Sequence, residues 1–183
     1  MKTLHSKTGV RELHKAAKQG ARDMEIAFLL QDFDDPYNVG GMFRVADAVG
    51  AVEMFSTGKT PPDTHPQVAV TSLGHHRRIP MTHFKHHEDA VLHAKEQGYA
   101  IVAIEIADGA VSYESFDYPD KVCFVLGNEV RGVYGSVMKH RDAALYIPML
   151  GKGRSMNVHV AAAVVAFHAR VGRRDADPKT PSD

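Results

Sequence analysis

Four apolar runs constrain the chain most: MEIAFLLQDF (24–33), YAIVAIEI (99–106), KVCFVLG (121–127) and AALYIPM (143–149). Each is strand-length and apolar at successive positions rather than at every second one. A strand of that kind must be covered on both faces, as in a parallel sheet with helices on either side. Helical patterns alternate with these runs. Val39, Met42, Phe43, Ala46 and Val49 fall at helical spacing before Gly50, and residues 86–97 and 156–171 repeat the pattern. A polar helix over 9–20, a strand over 51–57 and a short helix after Gly132 complete the reading, and the Pro-, Gly- and His-rich stretch 58–83 stays unassigned. The expected fold class is α/β, with a mostly parallel sheet and helices on both faces.

With 183 residues, one domain is expected, bounded by a basic extension (1–22) and a polar tail (172–183), with the main domain at 23–171. The hydrophobic share of 44% and charged share of 24% are those of a folded globular chain. No run reaches the ~18 apolar residues a membrane span needs, and the N-terminus lacks the apolar core of a signal peptide. The single cysteine, Cys123, excludes an intrachain disulfide and fits a reducing cytoplasm. Placed inside VCFVL, it reads as a buried, inert thiol.

Zero net charge argues against a uniformly basic nucleic-acid binder. The charge is unevenly spread, however. Lys15 and Lys18 lie in the basic N-terminal stretch, Arg77 and Arg78 follow two histidines, and Lys152 and Arg154 flank Gly153. Separated patches of this kind can line one groove for a polyanion or be plain solvated surface charge, and these six are the candidate contacts under the first reading.

In parallel α/β sheets, ligands bind beyond the carboxyl ends of the strands. Three loops there are unusually polar: Asp34 to Arg44, Gly127 to Gly132 and Pro148 to Asn157. If they meet, they form one site. Asn38 stands near a helix N-cap, a position that capping alone explains. Capping does not explain Arg44 between Phe43 and Val45 on an apolar helix. Familiar alternatives are missing. There is no GxxxxGK[ST] loop, no GxGxxG after the first strand, no HExxH and no GxSxG elbow. The twelve histidines lack zinc-ligand spacing, so no metal is expected.

Together, NVGGMFRVADAVGA (38–51), FVLGNEVRG (124–132) and IPMLGKGRSMNVHVAAAV (147–164) resemble, in order and spacing, the three motifs of the SPOUT superfamily of RNA methyltransferases, in its TrmH-like ribose 2′-O branch. The stretch DGAVSYESFDY (108–118) is also similar. The resemblance implies a C-terminal deep trefoil knot, a homodimer with AAAVVAF (161–167) in the core and interface, and S-adenosylmethionine as cofactor. By motif position it implies Arg44 at the ribose 2′-hydroxyl, with Asn38, Glu129, Ser155 and Asn157 completing the catalytic set. It assigns the cofactor to Ile104, Leu126, Gly127, Asn128, Ile147 and Met156. Met156 replaces the family's usual Leu, a volume-conserving change, and Ile104 stands where relatives often carry a small polar residue.

The implied reaction is in-line attack of a ribose 2′-oxygen on the cofactor's methyl group. The family proposal makes the arginine the base. A guanidinium stays protonated in proteins, so Arg44 is better read as stabilising the forming alkoxide, and the proton acceptor stays unassigned. The implied substrate is RNA, with guanosine 18 of the tRNA D-loop preferred over ribosomal RNA or another tRNA nucleotide. That preference rests on the short terminal extensions, where ribosomal RNA relatives often carry an extra N-terminal domain. A non-catalytic RNA-binding or dinucleotide-binding protein is the alternative from another class.

Overall fold

The computed structural model describes residues 7–172; the first six residues and the tail beyond Gly172 lie outside the described residues. Seven strands form one sheet: β1 (Glu25–Gln31), β2 (Glu53–Thr57), β3 (Met81–Phe84), β4 (Ala100–Ile104), β5 (Val111–Ser112), β6 (Lys121–Leu126) and β7 (Ala143–Tyr146). Their order is β3-β2-β1-β6-β4-β7-β5, and every pairing among them is parallel. Among the described residues six α-helices accompany them: α1 (Lys7–Gly20), α2 (Pro36–Val49), α3 (Pro66–Ser72), α4 (His87–Glu96), α5 (Gly135–Met138) and α6 (Val158–Val171).

The absence of alternation in the strands has the expected cause. Along β1, Ile26, Phe28 and Leu30 enter one core with α2 and α6, while Ala27 and Leu29 enter a second with α4 and Val137 of α5. Both faces are therefore buried. Cys123 belongs to the second core, where burial raises its thiol pKa, so it stays protonated and inert as expected.

Three expectations need correction, and one unassigned stretch acquires elements. Residues 58–83 hold α3, a 3-10 turn (His75–Arg77) and β3. Only Val68 and Ser72 of α3 are buried, and β3 is an edge strand with an exposed centre, so neither carries an apolar period. The strand after Asp142 stops at Tyr146, short of the Pro148 that cannot donate to a ladder. Asn38 is not the cap of α2. Asp35 is, its side chain accepting from the Tyr37 N–H at 2.8 Å, with Pro36 opening the helix. That places Asn38 inside the first turn, buried and free for another use. Finally, α6 begins at Val158 with Asn157 as its cap, so Met156 is not helical.

One topological feature positions the site. β6 lies between β1 and β4, and β7 lies beyond β4. The loops leaving β1, β4, β6 and β7 thus emerge side by side at the carboxyl edge of the sheet.

Candidate functional site

Those loops enclose a cavity of about 470 Å³, within the usual range of about 300–1,000 Å³ for small-molecule sites. Ile104, Leu126, Gly127, Asn128, Ile147 and Met156 all line it, and so do Asn38, Glu129, Ser155 and Asn157. Arg154 reaches the wall; Lys152 and Arg44 do not. Sequence reasoning missed Glu105 and Ile106, which follow β4 on the same edge. The only signal available for Glu105 was a carboxylate at the end of an apolar strand. Its Oε2 accepts the Val133 N–H at 2.9 Å and its Oε1 the Ile106 N–H at 2.9 Å, tying the β6 loop to the end of β4.

The Gly127–Gly132 loop is held by Asn128. Its Nδ2 donates to the Asp32 carbonyl at 2.8 Å and to Asp34 Oδ2 at 2.9 Å, and its Oδ1 accepts the N–H groups of Val130 and Arg131 at 3.0 Å each. The side chain of Asn128 therefore builds the loop, and its backbone N–H and C=O pair with Gly132 to close it. Asp34 is paired with Lys59 at 2.7 Å, and that contact, followed by the Asn128 bond, lowers its pKa.

Three chain regions are joined by one hydrogen-bond network. Asn38 Nδ2 donates to Glu129 Oε1 at 2.8 Å. Glu129 also accepts the N–H groups of Asp34 (3.0 Å) and Asp35 (3.3 Å), so it fixes the loop before α2. On the other side, Asn38 Oδ1 accepts from Asn157 Nδ2 at 2.9 Å. Asn157 Oδ1 in turn caps α6 by accepting the His159 N–H at 3.0 Å. Asn157→Ala removes both bonds and is expected to cost about 1–2 kcal/mol in urea unfolding. Asn157→Ser keeps a cap and should recover most of that stability.

Arg44 is exposed on α2 and makes no hydrogen bond or ion pair among the described residues. It is close enough to His159 to lower that imidazole's pKa, second to burial. Lys15 and Lys18 lie exposed on α1. Arg78 pairs with Asp47 at 3.2 Å, beside His75 at 2.8 Å, on the 3-10 turn that packs against α2; Arg77 is exposed there. Lys152 and Arg154 are exposed in the loop after β7. Among the described residues no group of three or more His, Cys, Asp or Glu could hold a metal ion, and no helix is long and apolar enough to cross a membrane.

Fold and site define a parallel α/β domain whose small-molecule cavity is walled by loops from the carboxyl edge of its own sheet and bordered by an amide–carboxylate network centred on the buried Asn38. More particularly, the chain belongs to the SpoU rRNA methylase family, which it matches over residues 25–167. It is 30% identical over 155 residues to the tRNA (guanosine(18)-2′-O)-methyltransferase of Escherichia coli, covering 85% of this chain and 67% of that one. Its identity to the Thermus thermophilus enzyme of the same name is 31% over 149 residues, covering 81% and 76%. Among solved structures, the AdoMet-bound rRNA methyltransferase of Sinorhizobium meliloti superposes with a TM-score of 0.75 at 28% identity. That match covers 81% of this chain and 56% of the other, so the chain spans little more than half of that structure.

Proposed function

We propose that the chain is an S-adenosylmethionine-dependent RNA ribose 2′-O-methyltransferase that modifies guanosine 18 in the D-loop of tRNA. The observation that carries this reading is the meeting of the three motif loops at one cavity, with Asn38, Glu129, Ser155 and Asn157 on its walls. The names of the Escherichia coli and Thermus thermophilus relatives support the choice of tRNA.

The cavity suits the cofactor chemically. Ile104, Leu126, Ile147 and Met156 offer apolar walls for a purine. Residues of the turns at 126–132 and 147–157 line it, and Glu105 and Glu129 add acidic side chains to the wall, which suits a cationic ligand. When bound, S-adenosylmethionine supplies a methyl group on a positively charged sulfur, already activated for transfer. The chain's own work is then orientation and charge stabilisation. Arg44 stabilises the forming 2′-alkoxide. Ser155 contacts the substrate phosphate, and Asn38 with Asn157 fixes the loops on either side. The two glycines around Lys152 leave that loop open to a backbone phosphate, with Arg154, Arg77, Arg78, Lys15 and Lys18 extending the RNA track.

The reading includes residues 23–171 as the catalytic domain, a C-terminal segment threaded as a deep trefoil knot, and a cytoplasmic homodimer. The dimer is supported by the outer stripe of α6, where Val160, Phe167 and Val171 are exposed at helical spacing. Such a stripe is what a partner would cover.

The test incubates labelled S-adenosylmethionine and purified protein with unmodified tRNA transcripts and with ribosomal RNA from a methylation-deficient strain, then maps the modified nucleosides. The expected product is 2′-O-methylguanosine at position 18. Label confined to ribosomal RNA would keep the chemistry and replace the substrate, an outcome in line with the Sinorhizobium meliloti protein's name. A protein that fails to bind the cofactor sinks the reading.

A further inference from the structure

We propose that His159 is the proton acceptor of the methyl transfer, taking the ribose 2′-hydroxyl proton on Nε2. This rests on the methyltransferase reading above.

The geometry begins at Glu129, whose two oxygens already accept the backbone N–H groups of Asp34 and Asp35 and so act as acceptors. Asn38 lies 2.8 Å from it and must therefore present its amide NH₂, which turns Oδ1 the other way. Asn157 is oriented independently: its Oδ1 caps α6, so its NH₂ faces Asn38 Oδ1. His159 Nδ1 stands 3.3 Å from that same oxygen. An amide oxygen cannot donate, so Nδ1 carries the hydrogen. The neutral ring's lone pair is then on Nε2, and Nε2 makes no hydrogen bond among the described residues. A carboxylate, two amides and an imidazole thus form a chain that selects the base-competent tautomer.

The ring is also held in place. It packs over Gly41 of α2, where a Cβ would lie 2.8 Å from the imidazole Cγ and Nδ1. Only a glycine leaves room for it. The charged groups facing the ring are Arg44 and Asp35 on the α2 side, with Glu129 reached through Asn38 on the β6 side. Burial first, then Arg44, lowers the imidazole pKa, against an opposing contribution from Asp35. Both causes favour the neutral ring, which remains partly open to solvent.

The step balances. The 2′-oxygen forms a bond to the methyl carbon as the carbon–sulfur bond breaks, its electron pair staying on sulfur. The hydroxyl proton passes to Nε2, giving an imidazolium that releases it to water after product leaves. Arg44, permanently protonated, stabilises the oxygen while the proton departs. One group supplies charge and the other accepts the proton, so no guanidinium has to be deprotonated.

Two measurements test this. Heteronuclear NMR on the wild-type protein reads the imidazole nitrogens without any variant. The expected result is the Nδ1–H tautomer with a midpoint below the ordinary histidine value of about 6.5. An Nε2–H tautomer, or a ring still protonated at pH 7, would overturn the proposal. The second is single-turnover methyl transfer against pH for wild type and His159→Gln, which offers Asn38 a donor but has no titratable base. Wild type should rise with pH and level off by neutrality. The variant should fall by at least about a hundredfold, lose that limb and keep its cofactor affinity. A variant within threefold of wild type and with an unchanged profile would overturn the base role alone. Wild type that transfers no methyl to any RNA would overturn the parent reading with it.

Discussion

Arg44→Ala is expected to lower the methyl-transfer rate by about 10²–10³-fold, the usual cost of removing one preorganised stabiliser of a developing oxyanion. Cofactor affinity should hold within about twofold, since the side chain is outside the cavity wall; a tenfold loss would need about 1.4 kcal/mol of lost contact. Thermal stability should also hold. Arg44 is exposed and unpaired by hydrogen bond or ion pair among the described residues, and alanine suits a helix interior. The loss would therefore be in chemistry and not in folding. A third readout links it to its neighbour: without the Arg44 charge, one of the two causes holding the His159 pKa down is gone. The His159 midpoint should move up in the variant. Arg44→Lys should recover little of the rate, because a point charge does not reproduce the guanidinium fork. An alanine variant that keeps most of its turnover would remove Arg44 from the reaction.

Gly127→Ala is expected to be the most damaging small change to the fold. Gly127 directly follows β6, where the chain folds back through the paired hydrogen bonds of Asn128 and Gly132 at 3.1 and 2.9 Å. A Cβ at residue 127 would overlap the backbone of Gly132 and Val133. Backbone cannot rotate aside as a flexible side chain can, so the whole turn must shift. Overpacking of this kind costs about 3 kcal/mol, measured as a lower urea midpoint at constant m-value. The same turn walls the cavity, so cofactor affinity should fall with it. Gly153→Ala is the control, because a Cβ there meets only the Ser155 carbonyl oxygen at 3.9 Å. Equal melting of the two variants would mean that the β6 turn relaxes at little cost.

The lowered His159 pKa also makes folding stability depend on pH. Its pKa is lowered in the folded state, so the unfolded chain binds the proton more readily. The neutral-ring contribution is present above the ordinary histidine pKa and is lost as pH falls through and below it. Wild-type stability should drop on acidification from about pH 7 to 5 by more than that of His159→Gln, as read from urea midpoints across that range.

Much of the sheet was legible. MEIAFLLQDF, YAIVAIEI, KVCFVLG and AALYIPM each contain a strand, because side chains buried on both faces leave an unbroken apolar record. β3 left none. Its residues at the sheet edge are partly or fully exposed, and Met-Thr-His-Phe has no period to read. Motif resemblance identified ten cavity residues, yet missed Glu105 and Ile106, which no motif reading had assigned. Asn38 was misplaced by a local rule. Capping preference alone could not choose it over Asp35, and the choice was made by Pro36, which opens the helix, and by Glu129, ninety-one residues away, which takes the Asn38 amide.

The sequence by itself determined the alternation of buried strands and helices, and hence a parallel α/β sheet with polar loops at its carboxyl edge. Local periodicity is enough for that, since burial acts residue by residue along each element. Only the tertiary structure decided the strand order, with β6 inserted between β1 and β4. That insertion brings Glu129 to Asn38, and the return of the chain at α6 brings Asn157 and His159 to the same amide across 119 and 121 residues. Pairings over such separations depend on how distant surfaces fit and on which donor finds which acceptor. Neither is written in any short stretch of the chain.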